Sequence, residues 1–386
     1  MFPELLKHEF ERFYNRKPAG IYFCPGRVNL IGEHIDYNGG LVMPCAINMG
    51  TYLVMAPNES SKIRIRSLNF EDHLEIPVTD RYNKTGGFWY NYPLGVIDRL
   101  AFAGHRFGGL DLLYFGNLPI GSGLSSSASI EILTAFALND HFELGYDRLG
   151  LVRLAKEAEN HFIGVNSGVM DPFAVVFGAK DTAMILNCQS LTYKPVGFQL
   201  KDHILAIINT HKPHNLAESK YNERVRECGV ALALLNQLLP VENLCQVTPY
   251  ELHGHQYLIS DITIYKRALH VVEENERVIK AAAFLEANNI CAFGELMYQS
   301  HYSLKELYEV SGIELDTIVE FSEGWEGVIG ARMTGAGFGG CAIALVEKDA
   351  FPAYSNALVD FYEDRIGYKP SIYQSAVSDG VSWLPC

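Results

Sequence analysis

Apolar and polar positions change rhythm several times along the chain. SKIRIRSL (61–68) alternates with a period of two and predicts a strand. AGIYFCPGRVNLIG (19–32), MGTYLVMAPN (49–58) and GGLDLLYFGNLP (108–119) are apolar runs bounded by turn residues and predict further strands. MFPELLKHEFERFYNR spreads Leu5, Leu6, Glu9 and Phe13 over the faces of an amphipathic helix. SSSASIEILTAFALNDHFELG predicts a long helix with Ser125 or Ser126 as its N-cap. YDRLGLVRLAKEAENHFIG predicts a second, ending near Gly164. DTAMILNC is a strand.

HILAIINTH (203–211) predicts the strand that opens a second domain, with the boundary placed between 1–195 and 196–386 and the last strand able to pack back on the N-terminal domain. Three helices follow, in ESKYNERVRECGVALALLNQL, KRALHVVEENERVIKAAAFLEAN and CAFGELMYQSHYSLKELYEV. GARMTGAGFGGCAIALVEK reads as a loop running into a strand, FPAYSNALVDFYEDRIG as a helix and PSIYQSAVSDG as a last strand. No tandem repeat and no low-complexity linker interrupts this order.

The chain has 386 residues, 48% hydrophobic and 20% charged, enough for one large or two medium cores. A formal net charge of −14 disfavours polyanions, so no nucleic-acid partner is expected. Lys220, Arg224 and Arg226, broken up by glutamates, read as a solvated helix face. Eight cysteines without CxxC pairs point to free thiols in a reducing compartment. Cys24, Cys45, Cys188 and Cys341 sit in apolar runs and read as core. No run is long enough to cross a bilayer, so a cytoplasmic location without membrane contact is expected.

Four segments carry chemistry. GRVNLIGEHIDYNGG (26–40) packs Arg27, Glu33, His34 and Asp36 into apolar surroundings. A metal site, an ion-pair cluster or a polyhydroxylated ligand would each explain them. In an extended segment adjacent residues face opposite sides, so His34 and Asp36 share a face but Glu33 does not. Two ligands make no metal site. LPIGSGLSSSASIE (118–131) runs glycines and serines into a helix start, where unpaired N–H groups and a partial positive charge suit an anion. A serine-capped turn is the plainer alternative, and without GK[ST] it is not a P-loop. MTGAGFGGCAIAL (333–345) matches GxGxxG but leads into a strand, so it is no dinucleotide fingerprint. It suits a tight loop, or a backbone packed near a ligand or near the phosphate loop. In GVNSGVMDPFAVVFG (164–178), Asp171 before Pro172 reads as an N-cap with proline at the first helical position.

These segments in this order resemble the galactokinases of the GHMP small-molecule kinase superfamily. WYNYPLGV, AENHFIGVNSGVMD and ESKYNER extend the similarity over nearly the whole chain. The resemblance implies an α+β, two-domain architecture. An N-terminal domain of the ribosomal protein S5 domain 2-like fold and a C-terminal ferredoxin-like domain would enclose the active site in the cleft between them. It implies a cytoplasmic monomer that moves the γ-phosphoryl of ATP to the C1 hydroxyl of α-D-galactose with Mg²⁺.

By the same resemblance, Asp171 would accept the hydroxyl proton and Arg27 would stand beside the transferring group. Gly121, Ser122, Gly123, Leu124, Ser125, Ser126 and Ser127 would cradle the phosphates. Ser127 and Glu159 would ligate magnesium. Glu33, His34, Asp36, Gly168, Asp171 and Tyr221 would bind the sugar, and Trp89 and Tyr92 would flank adenine. Proton abstraction supplies only roughly 10²–10⁴-fold, so alignment and charge stabilisation must carry most of the acceleration. Pro172 stands where the family commonly has glutamine, and proline pushes the residue before it toward extended backbone.

Two other functions fit the same motifs. One is a kinase for a related sugar: N-acetylgalactosamine, arabinose or galacturonate, the last disfavoured by the Glu33 carboxylate. The other is a sugar- and ATP-binding sensor without turnover, disfavoured by the intact SSSAS, Asp171 and Arg27.

Overall fold

A computed structural model describes residues 2–119, 123–165, 168–212 and 217–385. The chain opens with α1 (Phe2–Tyr14), β1 (Gly20–Asn29), β2 (Leu41–Val42), β3 (Pro44–Asn58), β4 (Lys62–Ser67) and β5 (Leu74–Pro77). Then come α2 (Asn91–Phe102), β6 (Gly109–Gly116), α3 (Ser126–His141), α4 (Arg148–Ala158) and α5 (Met170–Phe177). A hairpin of β7 (Thr182–Asn187) and β8 (Thr192–Gly197) precedes β9 (His203–Asn209). The helical stretch holds α6 (Ala217–Leu235), α7 (Pro249–Gly254), α8 (Ile262–Glu286), α9 (Ile290–Ser303) and α10 (Ile313–Glu323). It is closed by β10 (Val328–Thr334), β11 (Cys341–Glu347), α11 (Phe351–Ile366), β12 (Ser371–Ser375) and β13 (Ser382–Leu384).

The strands form three sheets among the described residues, in the orders β13-β1-β3-β6-β4-β5, β10-β11-β9-β12 and β2-β7-β8. On α1, Leu6, Phe10 and Tyr14 recur every four residues and are buried against Ile21, Val54, Ala56 and Leu113 of the six-stranded sheet. Each such apolar side chain contributes about 1.5–3 kcal/mol on burial. Helices α3 and α5 pack against β1 and β3 of that sheet. Its middle is therefore buried on both faces, and the runs read as continuously apolar.

Several expectations change here. GARMT is not loop: it is β10, antiparallel to β11, and the glycines form the turn between two strands. PSIYQS is β12, but it is not the last strand. The strand that packs back on the N-terminal part is instead β13, which pairs with β1, Leu384 lying opposite Ile21. Too short for a periodic signal, β13 owes its existence to the exposed edge of β1. Arg224 is buried at 5% exposure, not solvated. Its Nε donates to the Tyr308 carbonyl at 2.7 Å and its Nη1 to Glu227 at 2.9 Å. Among the described residues every cysteine is a free thiol, and no helix is long and apolar enough to cross a membrane.

Candidate active site

β1 aims the first functional side chain. Its pairing with β3 slips between Pro25 and Arg27. A Cβ on Gly26 would lie 2.7 Å from the Leu124 carbonyl, so only glycine lets the strand lie this close to the loop before α3. The bulge turns Arg27 inward. Its Nε and Nη2 donate to Asp171 Oδ1 and Oδ2 at 2.8 and 2.7 Å, and its Nη1 donates to the Gly123 carbonyl at 2.7 Å. The arginine side chain is 6% exposed and the aspartate 30%. This two-pronged geometry fixes the carboxylate plane.

Ser125 occupies the N-cap position of α3 but does not cap it. Its backbone is left-handed (φ 62°, ψ 45°), and its side chain makes no cap hydrogen bond. The hydroxyl donates instead to Asp171 Oδ2. A serine held in this region costs on the order of 1–3 kcal/mol, offset by the contact with the carboxylate. The N–H groups at the head of α3 are thereby left to an outside acceptor. Gly121 and Ser122, expected in the same loop, lie outside the described residues.

Asp171 is not an N-cap either. Val169 takes that place, and Asp171 lies in the first turn of α5. Pro172 is the third helical residue, where an N–H has no partner within the helix, so proline costs nothing there. The first helical bond runs from Phe173 N to the Val169 carbonyl at 3.1 Å.

Arg27 and Asp171 share a cavity of about 460 Å³ with Glu33, His34, Asp36, Gly168, Tyr221, Asn222, Gly335 and Ala336. Glu33 is 2% exposed. Its Oε1 accepts from Gly335 N at 2.6 Å and Thr334 Oγ1 at 3.1 Å, and its Oε2 accepts from Asn29 Nδ2 at 2.8 Å. A carboxylate oxygen can accept twice, so Oε2 keeps capacity for a ligand hydroxyl. Asp36 has its carboxyl pushed up to about 6 by burial and by the charge of Asp171. A Cβ on Gly168 would fall 2.2 Å from Asp36 Oδ2. His34 has φ 63° and contacts the protein through both ring nitrogens: Nδ1 to the Tyr37 hydroxyl at 2.9 Å, Nε2 to the Ala336 carbonyl at 3.1 Å. Burial lowers its pKa to about 3, so it is neutral.

A second cavity of about 160 Å³ is lined by Phe70, Trp89, Tyr92 and Tyr114 together with Ser126 and Ser127. Phe70 and Trp89 stack at 5.9 Å. This joins an aromatic slot to the serine loop. Glu159 lies in a π-helical turn that continues α4 and ends at left-handed Gly164. Glu131, on α3, is 1% exposed. Burial and the charge of Glu159 push its carboxyl well above the usual range, and its Oε1 has no hydrogen-bond partner. No cluster of three or more His, Cys, Asp or Glu able to hold a metal occurs among the described residues.

The folded chain thus gathers Arg27, Glu33, His34, Asp36, Glu159, Gly168, Asp171 and Tyr221 around one cavity, and Trp89, Tyr92, Ser126 and Ser127 around the other. Sequence reasoning missed Asn222, one residue from Tyr221, and Glu131, four residues from Ser127 on the same helix. The second was detectable, because positions i and i+4 share a helix face.

Three family models match the chain: "Galactokinase galactose-binding signature" over 8–57, "GHMP kinases N terminal domain" over 91–179 and "GHMP kinases C terminal" over 281–364. A galactokinase of Clostridium tetani is 46% identical over 97% of this chain and 96% of its own length. One from Lactiplantibacillus plantarum is also 46% identical, over 97% and 98%. The crystal structure of Lactococcus lactis galactokinase complexed with galactose superposes with a TM-score of 0.95 at 42% identity, covering 100% of both chains.

Proposed function

The chain belongs to the galactokinase family of the GHMP kinases, and from that premise we propose that it transfers the γ-phosphoryl of ATP to the C1 hydroxyl of α-D-galactose. The observation that supports this most directly is the convergence on Asp171. Arg27 and Ser125 hold its carboxylate at the wall shared with Glu33, Asp36 and Tyr221.

In this reading Asp171 aligns the C1 hydroxyl and accepts its proton late. The guanidinium of Arg27 and the free N–H groups of α3 meet the charge that develops on the phosphoryl oxygens. Glu33 Oε2, Asp36 and Tyr221 bind ring hydroxyls. Trp89 and Tyr92 flank adenine, so the two cavities divide between sugar and nucleotide. The chain then divides near 195, with the cleft between the two parts.

Ser127 and Glu159 would hold Mg²⁺. The donor set fits a hard cation: oxygen atoms only, with Glu131 Oε1 buried beside them and without a hydrogen-bond partner. When bound, magnesium supplies charge neutralisation for the phosphates. A coupled ADP-release assay with galactose tests the reading, run beside 2-deoxygalactose, N-acetylgalactosamine, arabinose and glucose. Galactose-dependent ADP release is expected. None with any sugar would identify a sensor, and release with another sugar alone would reassign the substrate.

A further inference from the structure

From His34 in the wall of the sugar cavity a line of side chains runs inward through Tyr37 and Tyr308 to Cys228, none of the last three used by phosphoryl transfer. Tyr37 Oη lies 2.9 Å from His34 Nδ1 and 2.9 Å from Tyr308 Oη, and Tyr308 Oη lies 3.0 Å from Cys228 Sγ. Tyr308 is fully buried and Cys228 is 2% exposed. None of the distances alone says which atom donates. The His34 end of the line does.

His34 Nε2 faces the Ala336 carbonyl. A carbonyl oxygen cannot donate, so the ring proton of His34 is on Nε2. Nδ1 of a neutral imidazole is then an acceptor, and the Tyr37 hydroxyl must donate to it. That hydroxyl has spent its one proton, so Tyr308 donates to Tyr37. Tyr308 has spent its own, so the Cys228 thiol donates to Tyr308. One carbonyl sets the direction of every bond in the line. The backbone fits such a clamp: His34 is left-handed at φ 63°, and Asn38 Nδ2 donates to its carbonyl at 3.0 Å. A non-glycine residue in that conformation persists where its surroundings hold it.

We propose that Tyr37 and Tyr308 are positioning residues that brace His34 in the Nε2–H tautomer set by the Ala336 carbonyl, and so tie the glycine turn at Ala336 to the sugar-binding segment. They act through His34 and touch neither phosphate nor the transferring group. The effect on sugar binding rests on the galactose reading above; the tautomer does not. Arg224 supports the Tyr308 end by donating to the Tyr308 carbonyl.

The test uses the full chain with ¹⁵N-labelled histidine. The His34 signals are assigned by their loss in His34→Gln. Long-range ¹H–¹⁵N spectra should show His34 protonated on Nε2, with Nδ1 at the shift of a hydrogen-bonded acceptor. Tyr37→Phe should move Nδ1 to the unbonded position. It should also raise KM for galactose roughly 2–10-fold, as the loss of one neutral hydrogen bond allows, with kcat and the KM for ATP changing less. Tyr308→Phe should produce a smaller change in the same direction, and it decides the matter if Tyr37→Phe fails to fold. An Nδ1–H tautomer in the wild type would overturn the proposal, as would unchanged spectra and KM in the folded variants. If the wild type turns over no galactose, the activity reading fails, and the spectra still decide the tautomer.

Discussion

Gly168→Ala probes the placement of Asp36. The added Cβ would lie 2.2 Å from Asp36 Oδ2, whereas ordinary contact begins at 3.4 Å, so the carboxylate must retreat by about 1.2 Å. Gly168 is not among the glycines with positive φ, so alanine introduces no backbone strain. A hydrogen bond to a charged group contributes about 1.5–3 kcal/mol. A displacement beyond 1 Å forfeits most of it. At about 1.4 kcal/mol per decade, KM for galactose should rise roughly 10- to 100-fold. KM for ATP should stay within twofold, since the aromatic slot and serine loop are lined by other residues. Steady-state kinetics with each substrate varied in turn give the split, and a thermal melt checks the fold. A folded Gly168→Ala with wild-type KM for galactose would refute the placement of Asp36 as a sugar ligand. A fall in kcat alone would show that the alanine disturbs Asp171 instead.

Other substitutions probe the rest of the site. Asp171→Asn should abolish turnover while nucleotide binding, followed by calorimetry, survives; measurable ADP release from it would sink the assigned role. Asp171→Ala should also destabilise, because it leaves the buried Arg27 guanidinium without its carboxylate; with Asp171 30% exposed the loss should fall below the roughly 3–5 kcal/mol of a fully buried pair, visible as a lowered denaturation midpoint. Asp36→Asn tests a sign. The folded pKa of Asp36 is raised from 3.8 to about 6, so its favourable contribution is complete below 3.8 and lost as pH rises through 6. The variant should therefore be more stable than wild type at pH 8, with the gain disappearing near pH 4; melts across that range decide it. Ser125→Gly removes both the left-handed strain and the hydroxyl on Asp171, so its melting temperature should hold or rise while kcat falls.

Much of the site was legible because its chemistry is local in sequence. Arg27, Glu33, His34 and Asp36 lie within ten residues, and the serine loop announces a helix head. The errors arose where a side chain had two possible partners. Ser125 and Asp171 both have the residue type of an N-cap, and local rules assign them that role. In the fold Arg27, 144 residues from Asp171, claims its carboxylate, and Ser125 follows it there. Arg224 reads as surface because glutamates flank it, yet one of them, Glu227, is its buried partner. GARMT reads as loop because glycines follow it, but its apolar residues have a strand to pair with in β11. Non-local partners decided each case, and no window of residues contains them.

The pairing of β13 with β1 has a consequence for biosynthesis. β1 carries Arg27 and lies beside β3 soon after both are made, but its other edge waits for Ser382–Leu384, with Ile21 meeting Leu384 some 363 residues later. Until then the strand that presents the phosphoryl-transfer arginine offers unpaired backbone groups to any passing strand. The six-stranded sheet therefore cannot be completed during translation of the first half alone. Its last strand arrives only once Leu384 has left the ribosome, so the active-site sheet reaches its full width only in a chain translated that far.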